Sequence, residues 1–295
     1  MLACGLGGSG IGANLVRDLV GDQLNIPMIV NKNYFIPGFV DEDTFVLLNS
    51  YSGNTEETIE ALQKVEQHHC KITCVTSGGK LAAAATAKGY DLVSIPAGKP
   101  SPRACLGYSF ILQLFTLHKH GFINNNFIQE IEGSIELLDE QSEAIKTQAK
   151  SIADILHNKI AVLYAPDQYE SVAVRWRQQI NENGKLLCWH HIIPEMNHNE
   201  LVGWRTERDD LAVVFFDFEN VYERIKTRKS INKDIAQKYT PHIIELDAVG
   251  KNKMEQMLHM IHLGDWVSFY IAELRGVDAV EVDVIDYLKG ELAKT

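Results

Sequence analysis

The chain has 295 residues, 45% of them hydrophobic and 23% charged, a profile that supports two packed domains without disulfide or metal staples. Its formal net charge of −11, from 28 basic against 39 acidic residues, excludes a general binder of nucleic acid or anionic membrane, because phosphate backbones demand a basic face. A small phosphorylated ligand needs only a few local donors and remains compatible with that charge.

In chain order, strand-like apolar runs at residues 1–5, 45–49, 71–76 and 92–95 alternate with helical patterns at 11–20, 56–68, 80–88 and 104–120. Such alternation predicts parallel βαβ units and a doubly wound sheet. A polar break at 124–126 leads into a long amphipathic pattern over 127–156. The theme then repeats, with strands at 160–165, 186–190, 211–216 and 242–246 and helices at 169–183, 219–238, 253–275 and 284–292. The expected fold is α/β: two similar three-layer lobes, 1–125 and 157–295, joined by a connecting helix over 126–156 and ending in C-terminal helices. The halves share an order of elements but no sequence repeat.

A strand at the initiator methionine is unusual, so a leading helical segment is expected to be missing. No apolar run reaches the length of a membrane span, and no signal peptide precedes the first strand. Cys4, Cys70, Cys74, Cys105 and Cys188 are odd in number and scattered, which fits reduced, mostly buried thiols in a cytoplasmic protein.

Two loops carry chemistry. Gly5-Leu6-Gly7-Gly8-Ser9-Gly10-Ile11-Gly12 follows a strand and precedes a helix, where bare backbone amides and the helix N-terminus favour an anion. The same glycines fit a dinucleotide fingerprint or a turn needed only for packing. The second strand ends Val30-Asn31-Lys32-Asn33, without the acidic residue a ribose would need, so dinucleotide binding becomes a minor reading. The second loop, Ser50-Tyr51-Ser52-Gly53-Asn54-Thr55-Glu56-Glu57-Thr58, lies at the carboxyl end of a strand, where open α/β sheets take their ligands. Ser50, Ser52 and Thr55 offer hydroxyls around a glycine at a helix start, a cradle for a phosphate monoester. Capping of the helix by Thr55 is compatible with that role.

This second loop resembles the phosphosugar-binding loop of the sugar isomerase (SIS) family, and the segment holding Gly8 and Ser9 is similar to that family's first loop. Further on, Arg177-Gln178-Gln179-Ile180-Asn181-Glu182-Asn183-Gly184-Lys185 and Pro194-Glu195-Met196-Asn197-His198-Asn199-Glu200 resemble the bifunctional phosphoglucose/phosphomannose isomerase family. Pro100-Ser101-Pro102-Arg103-Ala104 looks like its arginine segment and Leu288-Lys289 like its C-terminal lysine. The resemblance implies two SIS-type lobes, a sugar-phosphate substrate, Glu182 as the group that moves the proton and His198 as the group that opens the ring. It also implies a homodimer in which this histidine reaches across from the partner subunit.

The residue types suit that chemistry. Converting an aldose to a ketose carries one proton between C1 and C2 through an enediolate, a task for a single carboxylate in a partly desolvated site. Arg103 is placed to offset the enediolate charge, or else to anchor the following helix or bind phosphate. His198 suits proton exchange at the ring oxygen or the anomeric hydroxyl, with Lys289 as the second such group or an electrostatic anchor. His190, His191, Glu195, His198 and Glu200 crowd within one short stretch, but Pro194 breaks any helical alignment and no His-Glu-x-x-His motif is present. No metal and no cofactor are expected.

One departure bears on substrate. Where relatives continue Gly-Val-Asp with Pro-Thr-Pro, this chain reads Gly276-Val277-Asp278-Ala279-Val280-Glu281, which puts mannose 6-phosphate activity in doubt while leaving glucose 6-phosphate untouched. The competing readings are a non-catalytic phosphosugar-sensing regulator and an amidosugar-phosphate isomerase. The first has no use for Glu182 and His198 together. The second normally carries a glutaminase domain that this sequence lacks.

Overall fold

Parallel strands buried on both faces have to be apolar throughout, and Phe45-Val46-Leu47-Leu48 meets that demand residue by residue. In the computed structural model, which describes residues 1–99 and 101–294, these residues form the centre of a five-stranded sheet. The chain divides into two compact units, Met1–Phe127 and the remainder from Ile128.

The first unit runs β1 (Leu2–Cys4), α1 (Gly7–Val20), β2 (Ile29–Asn31), β3 (Phe45–Ser50), α2 (Glu56–Val65), β4 (Lys71–Thr76), α3 (Gly79–Lys88), β5 (Asp91–Ser94) and α4 (Leu106–Lys119). The strand order is β2-β1-β3-β4-β5, all parallel. Register sets Leu2, Val46 and Ile72 side by side, with Cys4, Leu48 and Cys74 in the next matching row. All six are buried in one cluster under α2 and α3 with Leu62, Val65 and Leu81. α1 crosses α4 closely, since a methyl group at Gly12 would come within 2.3 Å of Ser109 Oγ.

The long helix α5 (Asn126–Leu156) leads into β6 (Ile160–Pro166), α6 (Glu170–Glu182), β7 (Cys188–Ile193), β8 (Leu211–Asp217), α7 (Glu223–Ala236), β9 (Ile243–Asp247), α8 (Lys253–Arg275) and α9 (Asp283–Leu292). The second sheet is parallel with order β7-β6-β8-β9. Counted within its own unit, each sheet therefore runs second-first-third-fourth strand, with a fifth strand added at the end of the first sheet. The same topology stands on two unrelated stretches of sequence. Both sheets change direction between their first and third strands, the point at which such folds open a crevice beyond the strand ends.

α6 is fastened along α8. Arg175, 2% exposed, holds Asp265 through two hydrogen bonds of 3.0 and 2.9 Å, Trp176 Nε1 donates to Met260 O at 2.7 Å, and Asn183 Nδ2 donates to Ser268 Oγ at 2.9 Å. α8 is capped at its start by Asn252, whose side chain accepts from the Glu255 amide, and ends at Gly276 in the left-handed conformation. Four of the five cysteines are buried and Cys188 is half-buried; all are thiols. Burial pushes Cys4, Cys74 and Cys188 up to about 12, so they stay protonated near neutral pH. Among the described residues, no helix is long and apolar enough to cross a membrane.

Candidate active site

In the first unit the two loops and the arginine segment come together at the crevice between β1 and β3. α1 begins at Gly7, so Gly8 and Ser9 lie in its first turn. The Tyr51 amide donates to Ser9 Oγ at 3.1 Å, and Asn49 Nδ2 donates to Ser9 O at 3.3 Å and to Ser109 Oγ at 2.7 Å. These bonds tie the loop after β1 to the loop after β3. A Cβ at Gly8 would lie 3.2 Å from Pro102 O and 3.5 Å from Arg103 Cα, so the turn Pro102–Cys105 packs directly on the glycine loop. Arg103 is half-buried there. Of its predicted segment, Pro100 lies outside the described residues.

The hydroxyls divide by exposure. Ser50 is buried; its Oγ stands 2.8 Å from Thr55 Oγ1 and accepts from the Gly53 amide at 3.1 Å. Ser52 is exposed and Thr55 half-buried at the start of α2. Thr55 does not cap α2 with its side chain, which turns to Ser50 instead. Gly53 has φ +66°, and a Cβ there would fall 1.8 Å from Gly78 O, so only glycine fits between the two turns. The first-turn amides of α2 lack intrahelical acceptors and face the same crevice end.

In the second unit the predicted residues separate. α6 runs back from the carboxyl ends of the strands, so Glu182 at its last turn sits at the amino end of β7. His198 follows β7, in the turn Glu195–His198 at the strand's carboxyl end. A six-residue strand spans about 20 Å. One chain therefore holds these two side chains at opposite ends of one edge strand.

Glu182 is half-buried beside a cleft of about 260 Å³ lined by Asn181, Lys185, Glu281, Val284 and Ile285 among others. Lys185 Nζ donates to the Glu182 carbonyl at 2.5 Å and the Glu281 carbonyl at 2.6 Å, clasping the C-terminal segment to the end of α6. That segment leads into α9, where Lys289 is 70% exposed and 3.6 Å from Asp286. Val280 is 55% exposed, its amide donating to Asp278 Oδ1 at 2.8 Å. Sequence reasoning passed over Lys185 as a site residue; its left-handed φ of 53° in the Asn-Gly-Lys turn has no signal in composition or periodicity.

The histidine-rich stretch does not converge. His190 and His191 alternate across β7: His190 faces Glu170 at 3.6 Å and His191 faces Glu200 at 2.7 Å. Among the described residues, no three His, Cys, Asp or Glu side chains form a metal-binding group.

Two parallel doubly wound units, with hydroxyl- and amide-lined turns at the first crevice, define a phosphosugar-binding α/β protein. Residues 145–292 match the bacterial phospho-glucose isomerase C-terminal SIS domain. The chain belongs to the bifunctional phosphoglucose/phosphomannose isomerase family. It is 38% identical to such an enzyme from Caldicellulosiruptor bescii, over 98% of this chain and 88% of that protein. It is 37% identical to another from Aquifex aeolicus, over 99% of this chain and 89% of the relative. Its fold is shared by the C-terminal domain of glucosamine-fructose-6-phosphate aminotransferase from Francisella tularensis, with TM-score 0.73 at 13% identity over 94% of this chain and 85% of that one.

Proposed function

We propose that this chain interconverts glucose 6-phosphate and fructose 6-phosphate, and also mannose 6-phosphate, through an enediolate. The kinship over nearly the full length supports the reaction. The observation that carries the site is the convergence of Gly8, Ser9, Ser52, Thr55 and Arg103 at the β1/β3 crevice, where small hydroxyls and helix-start amides suit a phosphate monoester. Glu182 takes the proton from one of the two reacting carbons and returns it to the other. Arg103 offsets the charge that gathers on the enediolate oxygens. His198 exchanges the proton needed to open the ring, with Lys289 assisting. A sugar bearing its own phosphate needs no nucleotide, and the reaction is redox-neutral within one molecule. The exposed Val280 bears on the mannose epimer, so both aldoses belong in the first assay.

The placement of Glu182 and His198 at opposite ends of one edge strand favours a homodimer of isologous contacts, in which each chain lends His198 to its partner's sugar. Thiols held protonated and the sugar-phosphate substrate fit a cytoplasmic enzyme. The test is complementation. Glu182→Gln is expected to bind substrate but lose about 10³-fold in turnover, the scale of one general base. His198→Ala is expected to be crippled as well. Mixed and reassembled, the two inactive variants should recover activity, because a heterodimer holds one site with both residues intact. No recovery despite demonstrated subunit exchange places His198 in its own chain's site. Near-normal turnover of Glu182→Gln removes it as the base.

A further inference from the structure

The loop that carries His198 is pinned on both sides. Upstream, Met196 is fully buried, while Asn197 Nδ2 donates to Asn232 Oδ1 at 2.7 Å and Asn197 Oδ1 accepts from Arg228 Nη1 at 3.2 Å. Downstream, the Glu200 carboxylate gathers three donors from two strands. Tyr164 OH donates to Oε1 at 2.6 Å, Trp189 Nε1 to the same oxygen at 3.2 Å, and His191 Nδ1 to Oε2 at 2.7 Å. Tyr164 is 1% exposed and accepts from Trp204 Nε1 at 3.2 Å, which directs its own proton to Glu200. Asn199 Oδ1 accepts from the Glu200 amide at 2.5 Å and closes the turn between the two anchors. His198 stands exposed between these fixed flanks.

A surface turn does not need such a carboxylate. Drawing an ionised group even partly out of water is unfavourable unless donors replace its hydration, and here β6 and β7 supply them together. The consequence is geometric. The backbone two residues beyond His198 is tied to the edge of the sheet, whereas an untied loop would let the imidazole wander by ångströms. Proton transfer to a ring oxygen does not tolerate that freedom.

We propose that Glu200 is a positioning residue for His198, acting through the Tyr164–Glu200–His191 hub rather than on the sugar. The inference rests on the reading that His198 serves the isomerisation. Glu200→Ala is expected to lower kcat about a hundredfold, the scale of a misplaced catalytic group, with KM within about twofold because phosphate is held elsewhere. In a His198→Ala background the same substitution should lower kcat no further, since the residue acts only through the imidazole. Glu200→Gln should restore most of the loss. Its amide oxygen still accepts from Tyr164 and Trp189, and His191 meets the amide N–H by switching tautomer. Tyr164→Phe, placed in both backgrounds, repeats the cycle with a smaller perturbation should Glu200→Ala fold poorly.

Losses that add in the double variants overturn the proposal and leave the isomerase reading standing. So does an unchanged kcat, or a fall in activity that follows KM. Near-normal turnover of His198→Ala alone overturns the premise, and with it both readings of this loop.

Discussion

The two units share a strand order and put opposite things at the same place in it. In the first, the crevice beyond β1 and β3 is built of Gly8, Ser9, Ser52 and Thr55, joined by the Tyr51–Ser9 hydrogen bond of 3.1 Å. In the second, the equivalent ends of β6 and β8 carry Tyr169 and Phe218, whose rings stack 3.6 Å apart at 4° and are both essentially buried. Lys253 Nζ covers Tyr169 at 5.3 Å from the ring centre. Topology thus makes the same crevice twice, and side chains decide whether it holds a ligand or becomes core. With its own crevice filled, the second unit carries Glu182 and His198 at the two ends of its edge strand, Glu182 at the amino end of β7 and His198 at the carboxyl end.

The largest effect expected from that division is at the aromatic stack. Tyr169→Ala removes a buried ring and leaves a cavity, for a loss of about 3–5 kcal/mol in stability. All four tryptophans, at 176, 189, 204 and 266, lie in the second unit, so urea melting followed by tryptophan fluorescence reads that unit directly. KM for the sugar phosphate should hold at temperatures where the variant stays folded. A raised KM with native stability breaks the comparison, because it makes the second crevice a ligand site after all.

The units should also part under acid. His259 in α8 is 2% exposed, accepts from the Val249 amide at 3.3 Å, and is held down to about 4 by burial and then by the neighbouring His262. The unfolded chain takes up a proton near pH 6.5 that the folded one refuses until about 4. Stability from this group is therefore complete above pH 6.5 and drains away as pH falls to 4, by about 3 kcal/mol. The first unit has His120, shifted in the same direction, chiefly by burial, but with Asp91 pulling the other way. Fluorescence-detected urea melts between pH 7 and 4 should show the slope, and His259→Asn, whose amide oxygen replaces Nδ1 as acceptor, should flatten it. An unchanged slope in that variant moves acid sensitivity to another group.

Much of this was legible in the sequence, and the failures have physical causes. Phe45-Val46-Leu47-Leu48 reads as a buried strand because nothing in it tolerates water, and α8 is bracketed by its Asn252 cap and Gly276. α1 was expected from Ile11 and begins at Gly7: glycine's poor helix propensity gives way to tight packing at Gly10 and Gly12, where a Cβ would come within 2.4 Å of Gly5 O and 2.3 Å of Ser109 Oγ. The strand expected over 186–190 is Cys188–Ile193, because Leu186 and Leu187 are apolar residues spent on the turn after Lys185, Leu187 being 82% exposed. The loops and Glu182 and His198 stand out as local motifs. The Tyr169–Phe218 stack and the Glu200 hub join residues tens of positions apart, and no local pattern encodes them. The three hydroxyls of the phosphate loop look equivalent in one dimension; folding makes them unequal.

That inequality yields the smallest and sharpest prediction. Ser52 is exposed at the crevice and its Oγ accepts from the nearby Asn54 amide at 3.2 Å, which leaves the hydroxyl proton to be offered to a phosphate oxygen. Losing one such charge-assisted bond is worth about 1.5 kcal/mol, or about tenfold. Ser52→Ala should therefore raise KM about tenfold with kcat and melting unchanged. Ser50 is buried with its Oγ bound to Thr55 Oγ1 and the Gly53 amide, so its hydroxyl shapes the loop rather than meeting the ligand. Ser50→Ala should lower stability by about 1 kcal/mol and move KM only through the Thr55 side chain it leaves loose. Inorganic phosphate, used as a competitive inhibitor, separates the two: its inhibition constant should rise with Ser52→Ala as KM does. If instead Ser50→Ala weakens phosphate binding more than Ser52→Ala at unchanged stability, the buried hydroxyl turns outward to the ligand, and the first crevice binds by rearranging rather than as a preformed cradle.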